Sequence, residues 1–161
     1  LQGKKVPQLF VASGASKFGD ISQFPATTMG VMAPFRNEAR MYARYALAKK
    51  PDAKFAVLAQ NDDFGRDYLA GLKDVFGDKY DQSVIAAMYE VSEPTIDSQI
   101  VTLKASGADA LVIAATPKFA AQAIRKAYEI GWKPLQIILA TSSQASTTLK
   151  SAGFDASTGI V

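Results

Sequence analysis

Lys54-Phe55-Ala56-Val57-Leu58-Ala59-Gln60, then Asn61-Asp62-Asp63-Phe64-Gly65-Arg66, then Asp67-Tyr68-Leu69-Ala70-Gly71-Leu72-Lys73-Asp74-Val75-Phe76, is the stretch that decides the fold. An apolar run from Phe55 to Ala59 meets a polar knot at Gln60 to Asp63, and the apolar spacing then becomes helical at Tyr68, Leu69, Leu72 and Phe76. The pattern predicts strand, tight turn, helix. In such a unit the turn lies at the carboxyl end of a strand and the amino end of a helix, where free N–H groups and the helix dipole receive a polar ligand.

Downstream the same alternation recurs. Strands are predicted over Ser83 to Glu90, Asp109 to Ala115, Gln136 to Ala140 and Ser157 to Val161, and helices over Ile96 to Ser106, Pro117 to Ile130 and near Ala145 to Ala152. Gly107 and Gly131 stand just past two helices, where a left-handed residue is wanted. The runs Ala110-Leu111-Val112-Ile113-Ala114 and Ile137-Ile138-Leu139 are apolar throughout, as strands covered on both faces are. The expectation is α/β: a doubly wound, mainly parallel sheet with helices on both faces. Right-handed crossovers would gather the turns Gln60 to Phe64, Ser92 to Thr95, Thr116 to Phe119 and Thr141 to Gln144 on one edge.

Upstream, Val6 to Ala12 reads as a short strand with Pro7 at its start. A long polar stretch follows from Ser13 through Pro25, of a length usually functional or a linker, and leads to a second strand over Thr27 to Met32. Pro34 fits the first turn of a helix reaching Lys49, with Ala39, Tyr42, Ala43 and Ala46 on one face and Pro51 as its stop.

Composition narrows the function. The 161 residues suffice for one well-buried domain. A formal charge of +3 with mixed signs and no concentrated basic block argues against nucleic acid. With no cysteine and no histidine, thiol nucleophiles, Cys or His metal sites and Ser-His-Asp arrangements are excluded. No apolar run approaches the roughly 20 residues that span a bilayer, and no signal core opens the chain, whose start at Leu1 reads as that of a fragment. A dinucleotide fingerprint and a Walker loop are missing, and Ala114-Ala115-Thr116 lacks the aspartate of a phospho-receiver. The edge offers Ser, Thr, Gln, Asn and aromatic groups, which hydrogen-bond and stack but serve acid-base chemistry poorly. No catalytic residue, metal site or cofactor is expected.

Single positions stay open on this reading. Asp62 and Asp63 read as helix caps before ligand contacts. Phe64 either packs down on its own helix or faces a ligand. Thr116-Pro117 starts a helix, and the same N–H groups could hold a carboxylate. Thr141-Ser142-Ser143-Gln144 either caps the next helix or joins the site.

Taken in order, Val6-Pro7-Gln8-Leu9-Phe10-Val11-Ala12-Ser13-Gly14-Ala15-Ser16, the strand-turn-helix unit of 55–76 and Gly107-Ala108-Asp109-Ala110-Leu111-Val112-Ile113 resemble the branched-chain amino-acid (Leu/Ile/Val) type of periplasmic solute-binding protein that serves ABC transporters. The resemblance implies one lobe of the type 1 periplasmic-binding fold. Residues 1–25 would be the end of the first lobe with its cleft loop, and residues 26–161 the second-lobe domain. It implies a non-enzymatic periplasmic receptor that closes on a small-molecule ligand and delivers it to a membrane permease. The alternative is a sensory or regulatory ligand domain of the same fold; a third reading is an enzyme using Asp62 and Asp63 with Mg²⁺.

Carried over by position, Gly14, Ala15 and Ser16 resemble the loop that holds the ligand carboxylate. Phe64 takes the place of an aromatic residue lying against the ligand, and Thr116, Phe119, Thr141 and Ser142 resemble the second lobe's other contact turns. Amino-acid binders of the family typically present an acidic residue after the strand matching Gln136 to Ala140, whereas this chain has Thr141 and Ser142. Because an unpaired buried ammonium is costly, the expected ligand is a carboxylate without an α-ammonium. An isolated lobe would also expose surface that is normally covered, favouring dimers.

Overall fold

The computed structural model describes residues 2–25 and 28–161. Strands β1 (Gln8–Val11) and β2 (Thr28–Gly30) form a small parallel pair. Thr27, the expected start of the second strand, lies outside the described residues. Then come α1 (Phe35–Lys49), β3 (Phe55–Gln60), α2 (Asp63–Phe76), a short α3 (Tyr80–Ser83), β4 (Val84–Tyr89), α4 (Asp97–Ala105), β5 (Ala110–Ala114), α5 (Pro117–Glu129) and β6 (Leu135–Ile138).

β3 to β6 make one parallel sheet in the order β4-β3-β5-β6, in continuous register from Phe55↔Ala110 to Ala59↔Ala114 across the central pair. All five residues of β5 are buried, as a strand covered on both faces must be. Alternate residues feed two cores. Phe55, Val57, Ala59 and Val112 meet Ala39, Ala43, Tyr68 and Leu72 of α1 and α2. Ala56, Leu58, Leu111 and Ile113 meet Ile100, Leu103, Ala120 and Ile124 of α4 and α5 on the other face. The chain leaves β3 toward β4 and leaves β5 toward β6, in opposite directions. The carboxyl ends of β3 and β5 are therefore the switch point, where a doubly wound sheet opens a crevice.

Close approach explains Gly65. A Cβ there would lie 1.9 Å from the Gln60 carbonyl oxygen, so only glycine lets α2 begin directly against the end of β3. Gly107 and Gly131 take φ of 69° and 67°, the left-handed conformation expected past α4 and α5.

Three expectations change. Pro34 is the N-cap of α1, with helical geometry beginning at Phe35. The helix expected near Ala145 to Ala152 is a π-helical turn (Ala145–Leu149) followed by α6 (Lys150–Ala152). The strand expected over Ser157 to Val161 does not form: Ser157 closes a further helical turn, α7 (Phe154–Ser157), and a turn at Thr158 and Gly159 follows. Ala152 and Ala156 both bury against the α5 side of the core, on two short helical turns joined at Gly153, whose φ of 98° breaks the helix between them. Val161 alone keeps strand pairing: its N–H donates to the Gln136 carbonyl at 3.0 Å and its carbonyl accepts from Ile138 N at 2.9 Å.

Apolar side chains gather in the open on and beside the β1–β2 pair: Leu9 is 59 % exposed, Phe10 63 % and Val31 62 %. Among the described residues no helix is long and apolar enough to cross a membrane.

Candidate functional site

Helices that alternate with parallel strands all start at the carboxyl edge of the sheet, and there polar groups at the ends of β3, β4 and β5 and in the turn after β6 form a linked chain, while Ser92 to Thr95 stands outside it. Asp62 caps α2, its Oδ1 accepting from the N–H groups of Phe64 at 3.0 Å and Gly65 at 3.2 Å. Its Oδ2 accepts from Gln60 Nε2 at 2.6 Å. Gln60 Oε1 accepts from the Tyr89 hydroxyl at 3.0 Å, and the Tyr89 oxygen in turn accepts the Thr116 N–H at 3.1 Å. The hydroxyl thus joins the ends of β3, β4 and β5. Tyr89 is 1 % exposed and its ring packs against Phe119 at 4.4 Å between centroids, tilted by 42°. Burial pushes its phenol pKa up, so it stays a neutral donor and acceptor.

The chain of bonds continues to β6. Ser142, 1 % exposed, donates through Oγ to the Ala115 carbonyl at 2.7 Å, tying the turn after β6 to the turn after β5. Ala140 N–H donates at 2.7 Å to Oε1 of Glu38, on the first turns of α1.

The loop Ser13–Gly19 lies over the amino ends of α1 and α2. Gly14 O accepts from Phe35 N at 2.8 Å, and a Cβ on Gly14 would sit 2.4 Å from the Ala33 carbonyl oxygen. Ser16 N–H donates to Asp67 Oδ2 at 2.6 Å, and Lys17 Nζ reaches Asp63 Oδ2 at 2.6 Å. Lys17 and Arg66 beside Asp63 hold its carboxyl below the usual range. Asp62 is thereby occupied in capping, and Asp63 in exposed ion pairs. Phe64 is half-buried, with its ring 4.7 Å from that of Phe35 and 5.7 Å from that of Tyr68. It fills the place of a staple while keeping part of its surface at the edge.

Gly14, Ala15 and Ser16 line a cavity of about 330 Å³ together with Met32 and Asn37. Met32 and Asn37 also border a second cavity of about 400 Å³ that contains Thr141, Glu38, Met41 and Tyr42. Neither cavity reaches Phe64, Thr116, Phe119 or Ser142. Phe119 is 3 % exposed and belongs to the core, so it brings backbone rather than ring to the edge. Thr116 makes no side-chain cap on α5, which leaves its hydroxyl to the edge, 3.5 Å from the Tyr89 oxygen. Thr141 is exposed. Among the described residues no His, Cys, Asp and Glu group is arranged to hold a metal.

Sequence reading missed Tyr89, Asp67 and Glu38. Tyr89 had a signal: it closes a strand whose register sets it beside Gln60. Glu38 had none, because its partner lies 102 residues away.

The periplasmic binding protein family model matches residues 1–161. Among curated proteins none matches. Solved structures do. A substrate-binding periplasmic protein from Ralstonia solanacearum superposes with a TM-score of 0.83 at 23 % identity, over 98 % of this chain and 43 % of that one. A possible leucine/isoleucine/valine-binding protein from Rhodopirellula baltica gives 0.82 at 20 %, over 99 % and 43 %. A fatty acid ABC transporter substrate-binding protein from Thermomonospora curvata gives 0.77 at 16 %, over 99 % and 40 %. The chain spans about two-fifths of the length of these structures. At these identities the likeness is one of fold.

Proposed function

The chain belongs to the periplasmic binding protein family, and from that premise we propose that it is the second-lobe part, with a first-lobe end at residues 1–25, of a receptor that captures a small organic carboxylate for an ABC importer. Residues 26–161 form the second lobe in this reading, and the ligand lies between the lobes. The receptor works in the periplasm, releases its cargo to a membrane permease and catalyses nothing.

The observation that carries the reading is the linked edge itself. The ends of β3, β4 and β5 and the turn after β6 are held to one another by hydrogen bonds between Asp62, Gln60, Tyr89, Thr116, Ser142 and Ala115. Such preorganisation lowers the ordering cost of binding. The carboxylate would be received at the loop Gly14, Ala15 and Ser16 by the Gly14 N–H and the Ser16 hydroxyl, because the Ala15 and Ser16 N–H groups donate to Ser13 Oγ and Asp67 Oδ2. Phe64 would cover the organic part and Thr116, Phe119 (through its N–H) and Thr141 would complete the contact, with the buried Ser142 holding the turn through the Ala115 carbonyl. Thr141 and Ser142 offer no counter-charge for an ammonium, and Glu38 beside that turn already accepts two hydrogen bonds. The exposed Leu9, Phe10 and Val31 are the surface that the first lobe would cover; a lobe expressed alone would pair through them.

Calorimetry on the two-lobed protein with benzoate, butyrate and leucine tests the reading. Binding of a simple carboxylate in preference to leucine is expected. Preference for leucine overturns the ligand class.

A further inference from the structure

We propose that Glu38 is a positioning residue for the turn Ala140–Ser142, and through it for the ligand edge; the second half of this inference rests on the carboxylate reading above. Glu38 is 7 % exposed, and among the described residues no Lys or Arg pairs with it. A carboxylate so buried is tolerated only when donors surround it. Its Oε1 accepts from Ala140 N–H at 2.7 Å and from the Tyr42 hydroxyl at 3.0 Å, and its place near the start of α1 adds the favourable end of the helix dipole. Burial first, and then the Glu38 charge, push the Tyr42 phenol up to about 12 and move Tyr68, fully buried beside them, in the same direction. Both phenols therefore remain neutral beside Glu38.

What makes this more than a satisfied buried acid is where the bonds go. One end of α1 holds both sides of the proposed site: Phe35 N–H secures Gly14 of the cleft loop at 2.8 Å, and three residues on Glu38 secures Ala140. From Ala140 the chain enters the 3₁₀ turn Ala140–Ser142, in which Thr141 is exposed and Ser142 reaches the Ala115 carbonyl. The Glu38 bond therefore fixes where Thr141 is presented relative to Gly14. Without it the turn keeps its link to β5 and loses its link to α1.

Amide hydrogen exchange on the two-lobed protein tests the hold directly. Glu38→Ala should speed exchange at Ala140 by about tenfold, the factor set by one lost hydrogen bond, while α4 exchanges at the wild-type rate. Glu38→Gln, whose amide oxygen still accepts, should stay close to wild type. Glu38→Asp keeps the charge but withdraws it by one methylene; it should behave like Glu38→Ala and carries the test if the alanine variant does not fold. Unchanged exchange at Ala140 in the folded variant, or an equal rise in α4, overturns the proposal. With benzoate as the binding probe, or butyrate where benzoate does not bind, the affected variant should lose about tenfold in affinity. The core variants Ile100→Val and Ile124→Val, distant from Glu38 in the core under α4 and α5, should lose less than about twofold. Equal losses in all of them reduce Glu38 to a structural residue. A wild type that binds neither acid contradicts the carboxylate reading, while exchange still decides whether Glu38 holds the turn.

Discussion

The Tyr89 hydroxyl accepts the N–H of Thr116 at 3.1 Å, joining the last residue of β4 to the first turn of α5 across the end of the sheet. The same hydroxyl donates to Gln60 Oε1 at 3.0 Å, so one buried phenol serves a side chain at the end of β3 and a backbone N–H at the end of β5. Tyr89→Phe keeps the ring on Phe119 and strands both partners. The expected loss is about 1–3 kcal/mol in urea unfolding, since an orphaned buried donor costs more than a bond contributes. A loss below measurement error would mean that the edge is not held by this residue.

Asp62 is a cap with two acceptor bonds to α2. Asp62→Ala should lower stability by about 1 kcal/mol, and Asp62→Asn by only a few tenths, because asparagine caps nearly as well. Thermal melts by circular dichroism distinguish the two.

Gly65→Ala would drive a Cβ to 1.9 Å from the Gln60 carbonyl oxygen, which is backbone and cannot turn aside. A loss of about 1–3 kcal/mol or more is expected from the forced shift of α2. Denaturant midpoints of the purified variant would reveal it.

Asp74 accepts from both Arg36 and Arg40, with Arg36 the larger cause, and its carboxyl is held well below the usual range. A carboxyl depressed by folding contributes stability above its unfolded pKa, near 3.8, and that contribution is lost as pH falls below it toward the folded value. Asp74→Asn should therefore lower stability at pH 7 and flatten the dependence below pH 4. Unfolding measured from about pH 5 downward gives the slope; an unchanged slope removes Asp74 from the acid response.

Much of the fold was legible because period and burial agreed. Phe55 to Ala59 and Ala110 to Ala114 are apolar throughout, and such runs alternating with helices have few places to go except a parallel sheet. The helical pattern was legible as far as Ala152, but beyond it Ala156 is the one buried apolar residue among Gly, Asp, Ser and Thr, too sparse to advertise the turn Phe154–Ser157 in place of a strand. Its packing under α5 becomes visible only in three dimensions. At the site, the turns and their edge followed from topology. What holds them together did not: Ser16 to Asp67 spans 51 residues and Ala140 to Glu38 spans 102, and no local pattern encodes such a pair. Phe64 shows the limit in one residue, since its contacts with Phe35 and Tyr68 satisfy the staple reading and leave surface for the other.

The most direct test of the site is the amide spectrum of the isotopically labelled two-lobed protein, recorded with and without saturating benzoate. The largest shifts are expected at Ala15, Ser16, Phe64, Thr116 and Thr141, with α3 and the opposite edge of the sheet unmoved. Shifts confined to other residues, or none at saturation, would contradict the placement of a carboxylate at this edge.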